Sequence, residues 1–177
     1  MSAIYFISGL MLVLIGTILI LVSTKPDQFF VERSGVMNAA PEKIFPHINT
    51  MKLWQDWSPW AKMDPNCKIS YEGPEAGIGN AHIWDGNDKV GCGKLTIIES
   101  DPHKHIGMNL EFTRPFKCNN KVDFDLIPEG NMTKVIWKMN GKNNFMGKLM
   151  CIFMDMDKMV GSDYEKGLAS LKKIVEQ

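Results

Sequence analysis

Several chemistries are within reach of the spacing of histidines, carboxylates and thiols, and most fail on count or direction. His103 and His105 alternate along one strand-like stretch, the spacing of two metal ligands. No third ligand lies near them and the pair follows Asp101-Pro102 in a turn, so no metal site is expected. His82 shares a strand face with Trp84, where a neutral imidazole can hydrogen-bond a bound molecule, whereas His47 follows Pro46 with no visible partner. Asp155 and Asp157 stand about 100° to either side of Met156 on a helix, so their carboxylates point to opposite flanks. Asp123 and Asp125 occupy the polar face of a strand. Cys67, Cys92, Cys118 and Cys151 form no C-x-x-C pair, which favours buried thiols over a disulfide framework or structural zinc. No Ser-His-Asp or Cys-His grouping stands out. Gly77, Gly79, Gly91 and Gly93 lie around strands, where they permit bending or close packing and do not cradle a phosphate. No cofactor is expected.

Apolar residues offer more. Trp54, Trp57 and Trp60 either line a cavity mouth, rest at a membrane interface, or divide between two core positions and one loop cap. Thirteen methionines are present, six of them between Met139 and Met159. Their flexible thioethers suit a cavity for varied apolar ligands, and equally suit gaps in a core or a surface facing lipid.

The elements that position these residues follow from periodicity. Phe29 to Met37 reads as a strand; Pro41 opens a short helix, and Leu53 to Trp57 a second helical piece stopped at Ser58-Pro59. Twofold alternation then marks strands over Lys68 to Glu72, Ala81 to Trp84, Val90 to Glu99 and Ile106 to Thr113. Two more carry Val122, Phe124 and Leu126, then Val135, Trp137 and Met139. One face is apolar and one wet, and short connections imply antiparallel pairing. The tail returns to helical spacing, with Phe145, Leu149, Ile152/Phe153, Met156 and Val160 as a stripe. Gly161 followed by Ser162-Asp163-Tyr164-Glu165 predicts a break there, with Tyr164, Leu168, Leu171 and Val175 inward beyond it. The fold class is therefore α+β: a helix-grip arrangement, a curved antiparallel sheet of about seven strands around a long C-terminal helix.

Ahead of this domain, Ile4 to Val22 contains no charged residue. At the helical rise that run reaches about 28 Å, close to the hydrocarbon thickness of a bilayer. Its uncharged start and poor cleavage site argue for a retained anchor over a signal peptide. Residues 1–28 are expected to be anchor and linker, and 29–177 the folded domain. Lys25, Arg33 and Lys43, all on the C-terminal side, favour a cytoplasmic domain on a single-pass membrane protein. The 20 basic and 20 acidic residues cancel, so there is no basic field of the kind nucleic-acid binding needs.

The stretch Trp54-Gln55-Asp56-Trp57-Ser58-Pro59-Trp60 with Asp64-Pro65 resembles the START-like (SRPBCC) superfamily, in its polyketide cyclase/dehydrase-like branch with an N-terminal anchor. Gly73-Pro74-x-Ala76-Gly77-x-Gly79, Trp84-x-Gly86-Asn87 and Val90-Gly91-x-Gly93 carry the same likeness, as does Phe153 to Met159 with Gly161, Asp163 and Gly167-Leu168. The resemblance spans roughly residues 29 to 175 and implies a helix-grip fold that binds an apolar small molecule or lipid. It supplies no catalytic set. The cavity-facing candidates are His82, Trp84, Ile97, Met108, Leu110, Phe112, Phe124, Trp137, Met139, Leu149, Phe153 and Met156. A membrane-anchored carrier is the favoured reading. Two others stay open: a cyclase or dehydratase using a buried group such as His82 or Tyr71, and a protein-interaction domain of the kind that acts on chaperones.

Overall fold

Alternating apolar and polar residues build one antiparallel sheet of seven strands. The structure, a computed structural model, describes residues 2–177, with side chains from Ile4 onward. Helix α1 (Ser2–Ser23) leads into β1 (Gln28–Met37), α2 (Pro41–Asn49), a single 3-10 turn (Met51–Leu53) and the short α3 (Trp54–Trp57). Then come β2 (Lys68–Glu72), β3 (Ala81–Asp85), β4 (Cys92–Asp101), β5 (His105–Arg114), β6 (Cys118–Glu129) and β7 (Met132–Lys142). Helices α4 (Phe145–Phe153) and α5 (Met156–Val175) end the chain. The sheet order is β1-β7-β6-β5-β4-β3-β2, so β2 to β7 form a meander and β1 closes on β7.

Helix α5 grips the inner face. Tyr164, Leu168, Leu171 and Val175 are buried on its inward side, together with Ile44, Phe45 and Ile48 of α2. The Trp137 ring lies 3.8 Å from that of Tyr164, nearly parallel, and 4.8 Å from that of Phe124. The rings of Trp54, Trp57 and Trp60 meet Trp137 edge-on at 5.9, 5.5 and 5.9 Å. Aromatic side chains therefore fill the space between α5 and the sheet. Among the described residues, these side chains occupy the place where an open cavity was expected. Trp54 and Trp57 are sealed in this core, their indole N–H groups donating to the carbonyls of Ile48 and His47, and Trp60 is half-buried at its edge.

The break between the last two helices falls six residues before the expected place. It comes at Met154-Asp155, where the Asp155 carboxylate accepts a hydrogen bond from the Lys158 N–H at 3.1 Å and caps α5. Gly161 continues the helix. It is small because the Arg33 guanidinium lies against it, not because the chain stops there. Arg33 in turn donates to Asp157 at 3.0 Å and to Glu165 at 2.9 Å, pinning α5 to β1 and holding the Asp157 carboxyl below the usual range. Those acids are structural partners of β1.

From Ile4 onward helix α1 is exposed apart from Val22 and two half-buried positions. Its stretch Ile4–Ser23 has a mean hydropathy of 2.6, long and apolar enough to cross a membrane. It packs against α4.

Candidate ligand-binding site

Strand register arranges the inward side chains in rows across the sheet, and their burial is graded from row to row. Val31, Met139, Val122, Met108 and Ile97 form one row through β1, β7, β6, β5 and β4, and every member is at most 5% exposed. One step toward the start of β1, the row reads Phe29, Gly141, Asn120, Leu110, Leu95, His82 and Tyr71. Here only Asn120 and Leu95 are buried. The outermost row is Cys118, Phe112, Gly93, Trp84 and Ile69, with Ile69 exposed and three of the others half-buried. The inner face is thus a solid core at one end and an open apolar mouth at the other. The open end is the one where the linker from α1 enters β1.

The mouth has a defined geometry. The Trp84 ring lies over Gly93, where a Cβ would meet it at 2.6 Å, and its indole N–H donates to the Val90 carbonyl at 3.0 Å. Phe112 contacts Trp84 edge-on at 5.5 Å. His82 sits between Trp84 at 5.7 Å and Tyr71 at 5.6 Å, with Nε2 3.4 Å from the Gln55 side-chain nitrogen. Desolvation pushes the His82 imidazole down to about 4 and the Tyr71 phenol up from its ordinary value. Both groups are neutral at pH 7. Asn120 adds a polar point: its Oδ1 is buried without a hydrogen-bond partner, against Gly141 and the Phe29 ring. Leaving such an acceptor unpaired costs about 1–3 kcal/mol.

The candidate residues divide accordingly. His82, Trp84, Leu110 and Phe112 line the mouth. Ile97, Met108, Phe124, Trp137 and Met139 point inward as expected but are sealed in packed core, so they line no open space. Leu149 and Met156 are half-buried on the terminal helices. Phe153 is 77% exposed and faces away from the interior, because α4 is separated from α5 and leans on α1. The histidine pair also separates: His103 sits in the turn with φ of 66° and packs on Phe45, while His105 pairs with Asp125 at 2.7 Å on the outer face. Among the described residues no cluster has the makings of a metal site. Asn120 and Gln55 escaped the sequence reading. Asn120 carried a signal, since it occupies an inward position ahead of Val122, Phe124 and Leu126. Two hollows, of about 870 and about 480 Å³, are lined mainly by outward-facing residues such as Asn109 and Asn140, or Lys94 and Thr113, and reach the mouth rows at Cys118, Asn120 and Gly141 and at Trp84 and Gly93.

The seven-stranded grip with its graded inner face has a counterpart in sequence, a match over residues 28–176 to the family described as polyketide cyclase / dehydrase and lipid transport. The chain belongs to that family. No curated protein matches it. Solved structures similar to this family member include protein CV1439 from Chromobacterium violaceum, at 13% identity and TM-score 0.60, covering 86% of this chain and 99% of that one. The Aha1 dimer from Colwellia psychrerythraea is similar at 18% identity and TM-score 0.60, covering 84% and 96%. Ginseng major latex-like protein 151 from Panax ginseng is similar at 14% identity and TM-score 0.55, covering 85% and 97%. At these identities the likeness is one of fold.

Proposed function

We propose that this chain is a membrane-tethered binding module that holds an apolar or amphiphilic molecule in the mouth at the linker end of its sheet. The observation that carries this reading is the burial gradient: the inner face is left half-exposed only where α1 delivers the domain. A molecule leaving the bilayer would meet Phe112, Trp84 and Leu110 without crossing much water. Large apolar surfaces left open in a folded domain mark binding sites. The linker residues 24–27 span at most about 14 Å, so the mouth cannot travel far from the membrane if α1 spans it. The family description, which includes lipid transport, supports the same reading.

Acid–base catalysis fits less well. A base with a pKa of about 4, as burial gives His82, abstracts protons weakly at neutral pH. As a neutral hydrogen-bonding group, His82 serves recognition better. The test is extraction and mass spectrometry of the full chain purified in mild detergent, beside a Leu110→Glu variant with unchanged circular dichroism. A recurring amphiphile in the wild type, lost from the variant, is expected. No bound molecule, or equal amounts in both proteins, would contradict the reading.

A further inference from the structure

Helix α4 is a nine-residue segment, Phe145–Phe153, in which no residue is fully buried. A soluble domain gains nothing from exposing such a helix, since apolar area left in water forgoes about 25 cal/mol per Å². Phe145 is 52% exposed, Phe153 77% and Met154 40%. Yet the helix is held in a defined place. Its Asn144 cap accepts from the Gly147 N–H at 2.9 Å. Asn143 donates through its backbone N–H to the Asp27 carbonyl at 2.9 Å and through its side chain to the Pro26 carbonyl at 3.1 Å. Lys148 forms an ion pair with Asp27, and α4 packs on α1. Apart from the cap, these ties run to the linker and to the apolar helix before it. The β5–β6 turn joins the same end, where the Asn144 side chain donates to the Lys117 carbonyl at 3.5 Å and exposed Phe116 stands next to it.

From this arrangement we infer that α4 is a second membrane element, a short helix lying in the headgroup–acyl boundary with Phe145, Phe153 and Met154 in the lipid and Phe116 beside them. The inference rests on the reading of α1 as a membrane span. A helix fastened where a span leaves the bilayer, with apolar side chains facing outward, is placed to lie at the interface. Lys117, whose carbonyl Asn144 reaches, and Lys142, at the end of β7 just before α4, stand beside it, matching anionic headgroups. Helix α4 thus stands at the same end of the sheet as the mouth, where β1 starts and β5 turns into β6.

The wild-type full chain, reconstituted in vesicles of phosphatidylcholine and phosphatidylglycerol containing a phospholipid with a diazirine near its glycerol, tests this directly. After photolysis, lipid adducts are mapped by peptide mass spectrometry. Adducts on both Ile4–Ser23 and Phe145–Met154, well above those on α5, are expected. Adducts on α1 with none on α4 would overturn the inference while leaving the anchor intact, and would mean that protein, including a second copy of the chain, covers that face. Adducts on α4 without α1 would sink the span on which the inference rests, and so overturn the inference as stated. Labelling of neither would overturn both.

Discussion

Burial deprives His82 of water and moves its pKa to about 4, whereas in the unfolded chain the imidazole returns to about 6.5. As pH falls, the unfolded chain therefore binds the proton first. Stability should decline between about pH 6.5 and about pH 4 and gain no further loss from this group below that. The shift corresponds to at most about 3 kcal/mol. Denaturant unfolding at a series of pH values should show this slope in the wild type and a flatter profile in His82→Gln. Parallel profiles would mean that His82 is solvated in the folded protein. Asp157 and Asp27, held low by Arg33 and Lys148, lose their contribution only at more acidic pH, so the windows separate. Tyr71, raised by burial, stays neutral through both.

At the level of elements, caps decide where the terminal helices begin. Asp155 accepts from the Lys158 N–H, and its removal should cost about 1 kcal/mol. Asp155→Ala is thus expected to lower the thermal midpoint by a few degrees and to speed amide exchange first in Met156 to Met159. An unchanged midpoint and exchange pattern would show that the Arg33 contacts alone set this helix. The strands were legible because alternation is local: Lys68–Glu72 stands as read, and Ala81–Asp85 and His105–Arg114 lie within a residue of expectation at each end. The helical break was misplaced because Gly161 was read as a stop, when its role depends on Arg33, which is 128 positions earlier. Inward direction was equally legible for Met108, Phe124 and Trp137. Their depth was not, since it depends on which end of the sheet α5 and the tryptophans of α3 cover.

For the molecule as a whole, one end of the grip is consolidated and the other is left open at the end of the sheet where β1 starts. Trp137, Phe124 and Tyr164 make a packed base, while Trp84, Phe112 and Leu110 face a mouth at the end of the sheet where β1 starts. That division makes the tryptophans natural reporters. Trp54, Trp57 and Trp137 are at most 4% exposed, Trp60 stands at the rim of the core, and Trp84 alone among the five lies in the mouth. The most direct measurement is titration of the full chain in detergent with a brominated fatty acid, followed by tryptophan fluorescence, for wild type and Trp84→Phe. Saturable quenching in the wild type that largely disappears in Trp84→Phe is the expected result. Absent quenching, or quenching equal in the two proteins, would contradict a binding mouth at this end of the sheet.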